Sequence, residues 1–124
     1  MSNQAVKQKR ILVVIRHGNR GDPRLKEALD LAMVTAAFGQ AITLLFVEDG
    51  IYHWSASQQS EKIKMKPYHK ILAALELYEI DQCYLCEQSV LARRSISALE
   101  NEPTCLDRQA IIDLMEGSDV IIDY

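Results

Sequence analysis

Cysteine is scarce in this chain. Only three occur, Cys83, Cys86 and Cys105, an odd number and too few for the disulfide framework of a small secreted fold, so a reducing cytoplasm is the expected home. Long hydrophobic runs are missing as well. The longest unbroken aliphatic run, Ile11 to Ile15, falls far short of the roughly 20 apolar residues that a membrane span requires, and no small-residue cleavage site follows it. Neither a signal peptide nor a membrane span is predicted. The third thing lacking is concentrated charge of one sign. The formal charge is −3, and the positive groups are scattered over Lys7, Lys9, Arg10, the Lys62, Lys64, Lys66 cluster and Arg93–Arg94. A nonspecific phosphate interface needs a concentrated basic face, so no direct nucleic-acid binding is expected. The lysine cluster reads as a solvated loop.

What is present suits one globular domain with one core: 124 residues, 48% hydrophobic and 25% charged. Residues 1–9 read as a flexible N-terminal segment and residues 10–124 as the domain. Ile11 to Ile15 has the continuous β-branched pattern of a strand covered on both faces. Asp22-Pro23 offers a helix cap and a first-turn proline. Leu25, Ala28, Leu29, Ala32, Met33, Ala36 and Ala37 then hold one helical face until Gly39. Ala41 to Val47 is a second buried strand, ended by Glu48-Asp49-Gly50. Strand, helix and strand with short links make a right-handed βαβ unit and therefore a parallel pair.

Residues 55–66 turn polar and lose their period, which predicts a surface loop. Pro67 restarts a helix carrying Ile71, Leu72 and Leu75, and a third strand follows near Gln82 to Cys86. Ser89 to Arg94 suggests a helical turn and Ile96 to Leu99 a short strand. Thr104 with Asp107 resembles a capping box ahead of the stripe Leu106, Ala110, Ile111, Leu114 and Met115, with Gly117 as the stop. Val120 to Ile122 is the last strand. The expected fold is single-domain α/β, a mostly parallel five-stranded sheet with helices on both faces.

Three groups of residues carry possible chemistry. Arg16-His17-Gly18 ends the first strand, where ligands usually sit in open α/β sheets. The tripeptide resembles the signature of histidine phosphatases, but that signature needs a second histidine and further arginines, where only His53 in a polar loop and His69 on a helix remain, and a turn histidine closing a buried strand explains the same letters. Cys83-Tyr-Leu-Cys86 lies in a strand, where odd spacing points the two thiols to opposite faces. An internal disulfide or a shared metal is therefore not expected, and neither a metal nor a cofactor is assigned. Cys86 falls at the carboxyl end of its strand, on the same rim as His17, where a thiol can be reachable, although a free cysteine is more often a buried structural residue. Glu87 beside it opposes ionisation, and Arg93, Arg94 or the following amides favour it. Glu48-Asp49-Gly50-Ile51-Tyr52 is a strand-ending turn with two carboxylates, which could do acid–base or metal work but more often is turn chemistry alone. Tyr52 and Trp54 after it are expected to be partly exposed and to anchor an interface.

The His17-Gly18 turn, the run Leu44-Leu-Phe-Val-Glu-Asp-Gly-Ile-Tyr52, Leu77-Tyr-Glu-Ile80 leading into Cys83-Tyr-Leu-Cys86, and Ser118-Asp-Val-Ile-Ile122 together resemble the DsrE/DsrF-like family, and within it the TusC or DsrF type of subunit. That resemblance implies a parallel α/β fold and an oligomer with TusB/DsrH-like and TusD/DsrE-like subunits, or with copies of itself. It also implies sulfur-donor and sulfur-acceptor proteins as partners. Such complexes pass persulfide sulfur toward 2-thiouridine in transfer RNA or in dissimilatory sulfur oxidation. In the family the carrier cysteine is typical of TusD and DsrE subunits, and Cys86 matches its position. The resemblance thus implies a supporting role through interfaces, with direct carriage by Cys86 as the alternative.

Overall fold

Val13 is fully buried in a strand that is paired on both sides. The computed structural model describes residues 8–18, 23–54, 73–93 and 103–124. Its strands are β1 (Arg10–Ile15), β2 (Ala41–Phe46), β3 (Gln82–Cys86), β4 (Thr104–Leu106) and β5 (Val120–Asp123). They form one sheet in the order β4-β3-β2-β1-β5, and every neighbouring pair is parallel. The continuous apolar run of β1 has its reason here: with β2 on one side and β5 on the other, its residues alternate between two covered faces.

On one face Val13, Ile15, Leu44, Phe46 and Leu85 pack with Ala28, Leu29 and Ala32 of helix α1 (Arg24–Ala37). Leu75, from the helical residues 73–77 (α2), joins them. On the other face Leu12, Val14 and Leu45 meet Ile111, Leu114 and Met115 of α4 (Arg108–Glu116). The helix α3 (Glu87–Ala92) follows β3 directly. Gly39 ends α1 at a φ of +86°, a left-handed turn that suits glycine. Asp22, expected as the α1 cap, lies outside the described residues, as do the expected loop 55–66, the start of the Pro67 helix and the expected strand Ile96–Leu99.

Three expectations change. The fourth described strand is Thr104–Leu106, so Thr104 and Leu106 belong to the sheet and form no part of a capping box or helical stripe. Asp107 alone caps α4, its carboxylate accepting from the Ala110 amide at 2.9 Å. The helical turn expected at Ser89 starts earlier, at Glu87. Finally, the segment after β2 is a 3-10 helix, Glu48–Trp54, which folds Trp54 inward until only 1% of it is exposed. Trp54 stands edge-on to Phe46, centroids 5.7 Å apart at 89°, a favourable aromatic geometry. It is a core residue, in place of the partly exposed aromatic expected. Tyr52 stays half-buried.

The N-terminal side of the domain is tied down at Gln8 and Lys9. Gln8 donates to the Gly39 carbonyl at 3.0 Å and the Lys9 amide to Gln40 Oε1 at 2.7 Å. No helix among the described residues is long and apolar enough to cross a membrane.

Candidate functional site

Parallel strands deliver their carboxyl ends to one rim, and here that rim brings together residues far apart in sequence. Arg16 follows β1, Glu48 and Asp49 follow β2, Cys86 ends β3, and Asp123 ends β5. The register of β3 with β4 sets Cys86 beside Leu106, so α4 begins two residues further on, next to the thiol. Between these ends lies a cleft of about 400 Å³ lined by Arg16, Glu48, Cys86, Ser89, Arg93 and Arg108, with an apolar wall that includes Ile111 and Met115.

The two loops that shape the rim interlock through backbone. A Cβ on Gly18 would sit 1.9 Å from the Asp49 carbonyl oxygen, and a Cβ on Gly50 would sit 1.9 Å from the Ile15 carbonyl oxygen. Glu48, between them, takes a φ of +49°, an uncommon conformation for a side-chain-bearing residue that tends to cluster at functional sites. Its amide donates to Ser89 Oγ at 2.7 Å, which fixes the start of the 3-10 helix to α3.

Charge on the rim is mostly paired. Arg16 donates to both oxygens of Asp123 at 2.6 Å, and it also bridges to Glu48. Arg93 Nε donates to Asp49 at 2.9 Å. The Glu48 and Asp49 carboxylates therefore each face an arginine, which is not the close acid pair that shared acid–base work would use. The hydrogen bond from Arg16, with its charge, holds the Asp123 carboxyl below its ordinary value, and the Asp123 bond in turn raises Arg16. A lowered carboxylate stabilises the fold above its ordinary value of 3.8, and that contribution is lost as pH falls through the depressed value. Asp123→Asn is expected to destabilise by about 1 kcal/mol at neutral pH, a bidentate but half-exposed pair. In urea unfolding the difference should vanish in acid; an equal difference at every pH would refute the assignment.

The phosphatase reading of Arg16-His17-Gly18 does not fit this geometry. A phosphate-holding arginine needs its positive charge unspent, and Arg16 is clamped by two carboxylates. His53 is buried, its Nε2 2.7 Å from the His17 carbonyl oxygen and its ring edge-on to Phe46. It packs in the core away from the cleft, and His69 lies outside the described residues.

The thiols separate as strand geometry predicts. Cys83 packs against the α1 face of the sheet, and burial pushes its thiol up to about 12, so it stays protonated near neutrality. Cys86, three residues on, turns to the α4 face, half-buried in the cleft. Cys105 sits on the Cys83 side. Sequence reasoning found Cys86 and Arg93 but missed Ser89 as a cleft residue, Arg108 and Asp123. Their neighbourhood is made by strand order, and no local motif announces it.

The sequence model described as the DsrE/DsrF-like family matches residues 9–124. Among solved structures, the ychN protein from E. coli superimposes with a TM-score of 0.71 at 16% sequence identity, covering 95% of this chain and 100% of that one. This likeness is one of fold.

Proposed function

The chain belongs to the DsrE/DsrF-like family, and from that premise we propose that it is a sulfur-relay protein in which Cys86 receives a sulfane sulfur and passes it on. The observation that carries this reading is the placement of Cys86 in the rim cleft while Cys83, also partly buried, packs on the opposite face of the sheet. In the reaction, the Cys86 thiolate attacks the terminal sulfur of a donor persulfide. A Cys86–sulfur bond forms, the donor's sulfur–sulfur bond breaks, and the donor leaves as its thiolate. Cys86 becomes a persulfide, with no net oxidation or reduction. The same exchange, run onto an acceptor thiol, returns Cys86.

Intact-mass analysis after incubation with a persulfide donor tests it. A gain of one sulfur atom is expected in the native chain and in Cys83→Ala, and none in Cys86→Ala. A gain that persists in Cys86→Ala, or no gain in any form, sinks the carrier reading.

A second reading is a TusC/DsrF-type supporting subunit that works beside TusB/DsrH-like and TusD/DsrE-like chains. What favours it is β5: it is bonded to β1 on one side, and its Val120 and Ile121 are 37% and 46% exposed. Exposed apolar side chains on an edge strand are usually covered in the working assembly. Native mass measurement of the protein isolated from its own cells distinguishes the readings. A hetero-oligomer with an unloaded Cys86 would favour the supporting role, and a monomer would remove it.

A further inference from the structure

The positive charges around the Cys86 cleft are not equivalent. Arg16 is bound to Asp123 and Glu48, and Arg93 to Asp49. These two arginines and three carboxylates together carry one excess negative charge, and the exposed Glu87 next to Cys86 adds to it. A sulfur donor arriving as a persulfide anion would be repelled by that set. Among the described residues Arg108 is the remaining arginine of the cleft lining. It is exposed and forms no ion pair among the described residues.

Its position is also costly. Arg108 is the first residue of α4, where the helix dipole disfavours a cation, so local helix energetics do not account for it. Ser89 adds a neutral donor to the same cleft. It is 7% exposed, and its oxygen accepts from the Glu48 amide. Its own proton has no acceptor among the described residues.

We propose that Arg108 is the anion-receiving group of the Cys86 cleft, holding the negatively charged sulfur of an anionic sulfane donor while Cys86 attacks, with Ser89 as a second donor. The proposal deepens the carrier reading by naming the substrate class: anionic persulfides in preference to neutral polysulfides. Arg108 works through charge, so a lysine in its place should retain most of the effect.

The test separates this proposal from the carrier reading. Cys86 is alkylated with iodoacetate and with iodoacetamide, reagents that differ in charge, in a Cys83→Ala background that contains the native Arg108, Arg108→Gln or Arg108→Lys. The ratio of the two rates measures the potential at the thiol independently of its reactivity. In Arg108→Gln the iodoacetate-to-iodoacetamide ratio is expected to fall about fivefold, as befits one partly screened contact. It should stay within about twofold of native in Arg108→Lys, and the native ratio should shrink as salt is added. A ratio unchanged by Arg108→Gln overturns the proposal, even if Cys86 loads with sulfur normally. A failure of Cys86 to load removes the carrier reading instead, because the alkylation ratio decides Arg108 without any sulfur chemistry. Where Cys86 does load, glutathione persulfide should load Arg108→Gln about fivefold more slowly than native, and equal rates would count against the proposal.

Discussion

Gly50→Ala is expected to destabilise the protein by about 3 kcal/mol, the upper range for forcing a group into a filled site, read as a lowered urea midpoint with little change in slope. The new Cβ would approach the Ile15 carbonyl oxygen to 1.9 Å and its carbon to 2.7 Å. Both are backbone atoms of the interior strand β1, so no side chain can rotate away. That same oxygen accepts from the Val47 amide at 3.0 Å, and moving it breaks the last rung between β1 and the exit of β2. Gly18→Ala should cost a similar amount, since its Cβ meets the Asp49 carbonyl oxygen at 1.9 Å and Tyr52 Cβ at 3.2 Å.

Gly39→Ala makes the contrast that isolates the cause. It has a positive φ but nothing within 4 Å of the added carbon, so only conformational strain opposes the change, and about 1 kcal/mol is expected. If Gly50→Ala unfolds at the native midpoint, the interlock of the two loops is wrong, and with it the reason that Arg16 and Glu48 meet.

This interlock shows where the sequence was readable. The strand β1 and the helix α1 stand in the chain as runs whose pattern matches their surroundings, because each packs along most of its length against neighbouring elements. Local burial patterns therefore report them. Cys86 at a strand end could be placed on the rim by counting alternation from Cys83. The edge strand Thr104–Leu106 could not be found in this way. Three residues carry no period, and their pairing with β3 is a tertiary fact that overrode the local resemblance to a helix start.

Trp54 misled for a related reason. Aromatics in a polar stretch after a turn look exposed, but a 3-10 helix sends the chain back under the sheet, and Phe46 and Ile51 enclose the ring. The charged part of the site was the least legible. Arg16 reaches Asp123 across 107 positions and Glu48 across 32, and Arg93 reaches Asp49 across 44. No spacing rule pairs such residues; parallel strand order does, by bringing all the carboxyl ends to one edge.

Thiol labelling of the folded protein at pH 8 should find Cys86 and spare Cys83. The pKa of Cys83, pushed to about 12 from an ordinary 9.0, leaves it a thiolate fraction about a thousandfold smaller than that of a free cysteine. Packing against the apolar cluster on that face of the sheet hinders reagents further. In urea that protection disappears, and both residues should label alike. The same burial sets a pH dependence of stability with a defined sign. In the folded chain Cys83 holds its proton up to about 12, whereas the unfolded chain releases it near 9.0, so the unfolded state gains as pH rises between these values. Below pH 9 the contribution is fully present; above it stability declines, by about 1 kcal/mol from pH 9 to pH 10 on account of this thiol alone. Cys83→Ala should lower stability at neutral pH through lost packing yet remove that alkaline increment, so the native and variant curves converge as pH rises. Parallel curves, or a Cys83 that labels in the folded state as fast as Cys86, would mean that the packing on its face of the sheet does not shield it. Cys86 would then no longer be the more reachable of the two β3 thiols, and the selectivity that singles it out as the carrier would be lost.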